Sequence, residues 1–324
     1  MKIGNLEING HAALAPMAGV ADRAMREICV SFGAAYTVGE LTSAKGVSMG
    51  DKKSASYLFI GEKERPMASQ LFGGEPDVLA LAAKAAENYN PDFIDINMGC
   101  PAPKVAGNGG GSALLKDPKK AGEIVKAVKN AVNLPVTVKI RIGWDKDNIN
   151  AVEFAKILEQ SGADAITVHG RTRQQMYAPP VDYNTIKAVK ENVKIPVVAN
   201  GDIVDGPTAK AVLEKTKCDF LMVGRAAMGN PFVFREINHF FNTGEVLPPP
   251  TLEEKLSVMR HQIELMLKYK GEHIGLLEAR KHAAWYVKGI KGAANIRKMC
   301  GEINSLNDID LICEKIWEEN KNEI

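Results

Sequence analysis

The residues able to do chemistry stand where short apolar segments of the chain give way to turns. Cys100 is the clearest case, because it lies between Gly99 and Pro101, three residues after Asn97. An isolated cysteine is usually a small buried hydrophobe, but one on such a turn is placed for reaction. An ordinary thiol pKa of about 8.5 keeps the group protonated near neutral pH. Cys100 is therefore a candidate acid.

A second candidate lies on an apolar segment that alternates in character. Thr137, Lys139 and Arg141 share one face of a strand with a period of two residues. Burying an unpaired ammonium is too costly, so Lys139 either pairs with an acidic neighbour or faces an anionic ligand. A Schiff-base lysine of the aldolase type is the third alternative.

Two sets of turns carry cations and glycines. One of them holds His169, Arg171 and Arg173 in close succession, which indicates an anion nearby. The other set comprises Asn200, Gly201, Asp202, Gly224 and Arg225. These residues follow the last two predicted strands, where α/β barrels recurrently bind phosphate. A phosphorylated cofactor is expected there.

The remaining candidates suit a flat ring. Pro16, Met17 and Ala18 form a turn of small extent that a ring can approach closely, and Gln70 both donates and accepts, as the pyrimidine edge of a flavin requires. Neither a Walker A sequence nor a G-x-G-x-x-G segment after a first strand is present. The glycine-rich loop 107–111 is better explained as a mobile lid.

The elements that position these residues repeat a strand-then-helix pattern. Eight apolar, β-branched runs are predicted as strands: 12–15, 35–38, 67–71, 93–96, 136–140, 165–168, 197–199 and 220–223. Helices are expected between them, as at 77–88, 118–131, 149–161 and 207–215. Eight units over about 240 residues fit a (β/α)8 barrel, or TIM barrel. A doubly wound open sheet is the alternative.

The chain changes character after residue 243. Three prolines at 248–250 form a stiff break, and Thr251 with Glu254 predicts a capping box that opens a helix. Further helices are expected at 252–268, 275–288 and 306–317. We therefore predict an α/β barrel domain at 1–243 and an all-helical domain at 244–324.

Composition restricts the class of protein. The 324 residues are 45% hydrophobic and 25% charged, as in ordinary globular proteins. Nothing resembles a targeting segment or a membrane span, so a cytoplasmic protein without membrane contact is expected. Five scattered cysteines predict reduced thiols and no structural metal. We also expect a monomer.

A basic stretch lies in the predicted helical domain. No acidic residue occurs between Glu278 and Glu302. The stretch contains Arg280, Lys281, Lys288, Lys291, Arg297 and Lys298, with Trp285 and Tyr286 interleaved. Lys281, Trp285 and Lys288 are expected on one helical stripe. Such a run is usually a solvated face, but with aromatic support it also predicts phosphate contacts of RNA.

Taken together, these segments closely resemble the dihydrouridine synthase family of FMN-dependent oxidoreductases, above all its bacterial B-type branch. The resemblance runs from about residue 14 to residue 300. It rests on the segments 14–20, 95–104, 138–144, 167–177, 198–203, 223–232 and 280–291.

The resemblance implies a cofactor and a reaction. FMN would lie across the barrel mouth, contacted by Pro16, Met17, Ala18, Gln70, Lys139, His169, Asn200, Gly201, Asp202, Gly224 and Arg225. NADPH would reduce the flavin, which then gives hydride to C6 of a uracil in the D-loop of tRNA, while Cys100 protonates C5. Asn97 would orient the base.

Further contacts with the substrate are expected from two groups of residues. On the barrel these are Arg141, Arg171, Arg173 and Tyr177, which would touch uracil, ribose or phosphate. On the helical domain they are Arg280, Lys281, Trp285, Lys288 and Lys291. Three other functions stay open at this point: an FMN barrel reducing a free pyrimidine, a Schiff-base aldolase using Lys139, and a tRNA-binding chaperone without catalysis.

Overall fold

The structure, a computed structural model, describes residues 1–320. Eleven strands lie within this part of the chain: β1 Lys2–Ile3, β2 Leu6–Glu7, β3 Ala12–Leu14, β4 Thr37–Val38, β5 Thr42–Ser43, β6 Met67–Phe72, β7 Phe93–Met98, β8 Val136–Arg141, β9 Ala165–His169, β10 Val197–Asn200 and β11 Phe220–Val223. Strands β3 to β11 form one parallel sheet, and pairing of β4 with both β3 and β6 closes it into a barrel.

The barrel confirms the predicted TIM fold and excludes the open sheet. Both β4 and β5 pair with β6, the first at Met67 and Ala68 and the second at Leu71 and Phe72. They therefore fill one barrel position, which leaves eight positions in all. Seven of the eight predicted strands begin at the predicted residue. The exception was expected at 35–38 and begins at Thr37.

Fourteen α-helices lie in the described residues. Those that follow the barrel strands are α1 Arg23–Ser31, α2 Ala44–Ser48, α3 Lys52–Ser56, α4 Pro76–Glu87, α5 Pro103–Ala106, α6 Pro118–Ala131, α7 Ala151–Gln160, α8 Tyr183–Asn192, α9 Gly206–Thr216 and α10 Phe232–Thr243. Local sequence sets their starts. Asp117 caps α6 by accepting from the Lys120 N–H at 3.0 Å, with Pro118 in the first turn.

An N-terminal hairpin, which the sequence analysis did not predict, closes the bottom of the barrel. Strands β1 and β2 pair antiparallel. Ile3 and Ile8 are each 1% exposed and join a core with Tyr36, Phe93 and Phe220 inside the barrel. Two isolated isoleucines are too few to show the alternation that predicts a strand. The open end of the barrel nevertheless allows both to be buried.

The helical region after the barrel forms a second core. Its helices are α11 Leu252–Lys270, α12 Glu272–Tyr286, α13 Ala293–Gly301 and α14 Leu306–Asn320. Their buried side chains pack together with Ala24 and Ile28 of α1. The division at 243/244 therefore stays a prediction, and its residues 321–324 lie outside the described part of the chain.

Two sequence predictions in this region need correction. Helix α12 ends at Tyr286, so Lys288 lies in the turn after it and does not extend a helical stripe from Lys281. The capping box is only half formed. Thr251 accepts from the Glu254 N–H at 3.2 Å, but the Glu254 carboxylate binds Arg235 of α10 at 2.5 and 3.1 Å. A tertiary ion pair has replaced the local contact.

Two ion pairs of Lys270, one of them with a buried carboxylate, hold α1 against α11 and α12. The Asp22 carboxylate is 1% exposed, caps α1 through the Met25 N–H at 2.9 Å, and pairs with Lys270 at the end of α11. Lys270 also bonds Glu278 of α12 at 2.5 Å. Burial by itself would raise the pKa of Asp22, but Lys270 holds it below its ordinary value. The charge of Lys270 thus joins the barrel to the helical region.

We expect Lys270→Met to lower the free energy of unfolding by about 3–5 kcal/mol at pH 7, because it leaves a buried carboxylate unpaired. Since the folded pKa of Asp22 is depressed, the loss is complete above the unfolded pKa of about 3.9 and shrinks as the pH falls through the folded value. Urea unfolding at several pH values measures it.

The matched control is Lys84→Met, which breaks a pair with Glu87 in which the lysine side chain is 62% exposed. That change is expected to cost no more than about 0.5 kcal/mol. Equal losses in the two variants would show that burial of the Asp22 pair contributes nothing.

Candidate active site at the carboxyl ends of the strands

Strand register brings the predicted residues into two layers at the barrel mouth. In the lower layer Asn97 of β7 stands opposite Lys139 of β8. In the upper layer Arg141 stands opposite His169, which stands opposite Asn200. Each of these side chains occupies one of the last positions of its strand. A rigid sheet, not a loop, therefore sets their spacing.

Lys139 has no ion-pair partner within the described residues. Its Nζ bonds the Asn200 Oδ1 at 3.2 Å, and the Asn200 Nδ2 donates to the Met222 carbonyl at 2.8 Å. Burial and the nearby Arg141 lower the pKa of Lys139 to about 8, while Asp95 opposes the shift. The group is still mostly a cation at pH 7. Of the three sequence alternatives, the direct ion pair with an acidic neighbour is the one that the described residues do not show, and the other two remain predictions.

His169 is a neutral hydrogen-bonding group. It is 8% exposed, and burial lowers its pKa far below the ordinary value. The charges of Lys139, Arg141, Arg171 and Arg225 lower it further. A buried imidazole among four cations gains nothing by protonation. At neutral pH it therefore offers one donor and one acceptor.

The loops after β10 and β11 meet over Asp202. The backbone of Asp202 is left-handed at φ +48°, and its carboxylate accepts two bonds from Arg171, at 3.0 and 2.6 Å. Arg225 adds a third at 3.1 Å and keeps 52% of its side chain exposed. A short 3₁₀ helix, Arg225–Ala227, follows Gly224. Arg225 is thus the accessible cation of these loops.

Arg171 has a role that its sequence position does not reveal. It is 1% exposed, and its Nε donates to the Ala178 carbonyl at 2.8 Å in addition to the Asp202 bonds. Its guanidinium donors are therefore used in bonds within the protein. In this structure Arg171 fixes the loops that frame the mouth.

Asn97 and Arg141 hold the Cys100 turn from two sides. The Asn97 Oδ1 accepts from the Gly99 N–H at 3.2 Å and the Cys100 N–H at 2.9 Å. Arg141 Nε donates to the Gly99 carbonyl at 2.9 Å, and Nη1 donates to the Thr172 carbonyl, also at 2.9 Å. Cys100 itself is partly exposed. The thiol is therefore presented on a fixed backbone.

Two acidic residues of the mouth were missed by the sequence analysis. Asp95 is 3% exposed, bonds Gln70 and Thr137, and has a pKa raised to about 6 by burial. Glu40 is 9% exposed and accepts from the Gly19 N–H at 2.5 Å. Asp95 lies on β7, where the alternation of side chains would have placed it inside the barrel, and Glu40 lies just after β4, where mouth residues are expected. Both signals were present in the sequence.

Tyr177 and Arg173 lie on the rim. Tyr177 is 52% exposed, with the Arg225 guanidinium 4.8 Å and the Arg141 guanidinium 5.8 Å from its ring centroid. Arg173 instead stacks on Trp144 at 4.7 Å. The structure thus places Tyr177 beside the site and Arg173 farther out.

The basic residues of the helical region do not form one surface. Lys281 Nζ lies 3.3 Å from where a β-carbon would stand on Gly19, so it reaches the barrel mouth. Arg280 donates to the Ile303 carbonyl at 3.0 Å and to Asn304 at 2.8 Å, and Trp285 packs on His282. Lys288 and Lys291 are exposed beyond the end of α12.

Residues 1–320 contain no group of three or more His, Cys, Asp or Glu side chains that would hold a metal ion. No helix among them has the length and apolar character needed to cross a bilayer.

The sequence profile of the dihydrouridine synthase family matches residues 13–321. A probable tRNA-dihydrouridine synthase of Rickettsia conorii is 44% identical over 319 residues, covering 98% of this chain and 96% of that protein. The tRNA-dihydrouridine synthase B of Pseudomonas aeruginosa is 44% identical over 317 residues, with 98% and 94% coverage.

Among solved structures, morphinone reductase in complex with tetrahydroNAD matches with a TM-score of 0.55 at 13% identity, over 79% of this chain and 92% of that one. At this identity the likeness shows a shared barrel fold.

We expect Gly111→Ala to disturb the Cys100 turn. Gly111 has φ +56°, and a β-carbon there would stand 2.9 Å from the Cys100 carbonyl oxygen and 3.2 Å from its Cβ. The turn must move, which raises the rate at which iodoacetamide alkylates Cys100. Peptide mass spectrometry distinguishes Cys100 from the other cysteines.

Gly109→Ala is the control. Gly109 has a similar φ of +74° but nothing within 4 Å of a β-carbon, so it carries the same left-handed strain of roughly 1–2 kcal/mol without the contact. Equal alkylation rates in the two variants would mean that Gly111 does not support the turn.

Proposed function

The chain belongs to the dihydrouridine synthase family, with its high similarity to B-type members, and from that premise we propose that it reduces specific uridines in the D-loop of tRNA to 5,6-dihydrouridine. FMN is the cofactor and NADPH the reductant in this proposal. The observation that carries it is the arrangement of one thiol and one unpaired cation at the same mouth. Cys100 is held there by Asn97, and Lys139 stands opposite Asn97 in the strand register.

The mouth fits a flavin mononucleotide at both ends. Arg225 is an accessible cation beside Gly224, where a β-carbon would meet only Ala15, at 3.8 Å, so a phosphate has space and a charge partner. Lys139, His169 and Asn200 supply donors deeper in the barrel, where an electron-rich ring would lie. One phosphate position and no dinucleotide fingerprint favour FMN over FAD.

The residues of the chain divide the reaction between them. Bound FMN supplies the hydride that adds to C6 of the uracil. Cys100 holds the proton that C5 requires, and Asn97 keeps the thiol's backbone in place. Lys139 stabilises negative charge on the ring side of the site as a cation. A pKa of about 8 would also suit a Schiff-base lysine, so the aldolase alternative is disfavoured by the family match and not by this pKa.

The first prediction concerns the cofactor. We expect the purified protein to be yellow and to release FMN, not FAD, on denaturation, because the proposal has a single phosphate position, beside the half-exposed Arg225. Chromatography of the released flavin identifies it. Release of FAD, or failure to bind flavin on reconstitution, would refute the cofactor assignment.

A second prediction concerns the acid. Cys100→Ala is expected to keep FMN binding and reduction by NADPH at the wild-type level, and to slow reoxidation by tRNA by about 10²- to 10⁴-fold, the usual contribution of a general acid. Stopped-flow spectroscopy separates the two half-reactions. Cys313→Ala, another partly exposed cysteine remote from the mouth, is the control. Reoxidation of the Cys100 variant at the wild-type rate would exclude Cys100 as the acid.

A third prediction concerns tRNA docking. The double change Lys288→Ala and Lys291→Ala is expected to weaken tRNA binding. It should also make the negative slope of log affinity against log salt shallower by about one to two, because fewer counterions are released when fewer phosphates are neutralised. Flavin content and the NADPH half-reaction should not change. Titration at several salt concentrations measures both quantities.

The matched control removes Lys119 and Lys126, two exposed lysines on the outer helix α6. Identical binding curves for the two double variants would assign the lysines after α12 to a solvated face only. Arg280 is left unchanged in this design, because its bonds to Ile303 and Asn304 would confuse binding with folding.

A further inference from the structure

A buried chain of hydrogen bonds leads from the barrel interior to the Cys100 turn. Thr137 Oγ1 donates to the Asp95 Oδ1 at 2.5 Å, and the Gln70 Nε2 donates to the Asp95 Oδ2 at 2.7 Å. Asn97 Nδ2 then donates to the Gln70 Oε1 at 3.1 Å. The Asn97 Oδ1, at the other edge of the same amide, accepts from the Cys100 N–H at 2.9 Å.

We propose that Asp95 is a positioning residue for uridine reduction, because its carboxylate fixes the orientation of the Gln70 and Asn97 amides in series and so the backbone of Cys100. The inference rests on the proposed function in taking Cys100 as the acid. Asp95 makes no contact with Cys100 and acts only through the two amides.

The direction of the chain follows from the chemistry of the groups. A carboxylate only accepts, so Gln70 must turn its NH₂ toward Asp95 and its oxygen toward Asn97. That oxygen also only accepts, so Asn97 must turn its NH₂ toward Gln70. The Asn97 oxygen is then left for the N–H groups of the Cys100 turn. If the first group were not an obligate acceptor, either orientation of both amides would be allowed.

Among the described residues, the surroundings of Asp95 offer no other group that could set the orientation of the two amides. Asp95 is 3% exposed, and the cavity beside it has a volume of about 10 Å³, room for one water at most. Thr137 and Gln70 bond the carboxylate, and the charged or titratable groups that act on it are Lys139 and Tyr36. Bulk water cannot stand in for a missing partner there.

The same argument fixes what Gln70 presents to the site. Its Nε2 keeps a second hydrogen and its Oε1 a second lone pair once Asp95 and Asn97 are bonded. Asp95 thereby also sets which edge of the Gln70 amide can meet a flavin. Reversal of the chain would exchange donor and acceptor at that edge.

Reversal provides the test. Asp95→Asn allows both orientations of Gln70, and Asn97→Asp places Gln70 between two carboxylates. Combining the two substitutions exchanges the amide and the carboxylate and so gives a new consistent direction. The amide now at position 95 donates to Gln70, Gln70 donates to the carboxylate now at position 97, and that carboxylate still accepts from the Cys100 N–H. The four proteins form a double-mutant cycle.

We measure two quantities on each purified holoenzyme. One is the rate of flavin reoxidation by tRNA, expected to fall by about tenfold to a hundredfold in each single variant. It should recover only in part in the double variant, because Gln70 then presents its reversed edge to the flavin. The other is hydrogen exchange of the Gly99 and Cys100 amides, which does not depend on the reaction. Exchange should be faster in Asp95→Asn and return to the wild-type rate in the double variant.

Thr137→Val serves as the structural control. It removes one bond that lowers the pKa of Asp95, so the comparison is made at about pH 8, where the carboxylate is still ionised and remains an obligate acceptor. Both quantities should then stay within about twofold of wild type, whereas a merely structural role for Asp95 predicts a loss in this variant as well. Effects that add, with the double variant slower than either single variant, would overturn the inference, as would a wild-type exchange rate in Asp95→Asn.

Failure of the proposed function would look different. If Cys100→Ala reoxidised at the wild-type rate, the role of the thiol would be lost, but the exchange measurements would still decide whether Asp95 orients the turn. If a single variant is too unstable to purify, the cycle is incomplete, but the double variant can still be compared with wild type. An unchanged amide exchange rate in the double variant supports the inference, and a raised rate contradicts it.

Discussion

The feature on which this site depends is a pair of cations, the half-buried Lys139 and the buried Arg141, that have no carboxylate partner within residues 1–320. Lys139 and Arg141 stand on alternate positions of β8, where the closed sheet forces both into the barrel mouth. Burying such charge is costly unless polar groups or a ligand receive it. Arg141 is satisfied by loop carbonyls and Lys139 only by the Asn200 amide. The mouth is therefore prepared for negative charge, and His169 is kept neutral for the same reason.

Two carboxylates of the mouth are hydrogen-bonded to groups other than Lys139 and Arg141. Asp202 is bonded by Arg171 and Arg225 on the rim, and Asp95 is bonded by two neutral groups below Lys139. Asp95 therefore contributes more through its acceptor character than through an ion pair. Lys139 and Arg141 thus supply the positive charge of the mouth, and Asp95 sets the direction of the hydrogen bonds that hold the Cys100 turn.

The sequence predicted where the strands begin better than where they end. Five strands run one or two residues beyond their predicted ends, and the added positions include Asn97, Arg141, His169 and Asn200. Apolar runs stop at polar residues, so a pattern-based boundary falls just before them. In the closed barrel these polar residues still pair with neighbouring strands. The prediction of loop residues for the site was therefore partly wrong in element, although right in location.

What the sequence could not supply is partner choice. Arg171 and Arg225 look alike along the chain, yet one is closed off by Asp202 and Ala178 and the other is half exposed. Glu254 has the spacing of a capping box, but Arg235 competes for its carboxylate across the boundary between barrel and helices. In the sequence Asp95 is a polar residue in a largely apolar strand. Only its bonds to Gln70 and Thr137 show the direction of the hydrogen bonds that start from it. Each case depends on contacts between residues distant in sequence, which local patterns do not encode. Residue type therefore limits the chemistry of this site, and the register of the closed sheet decides which residue performs it.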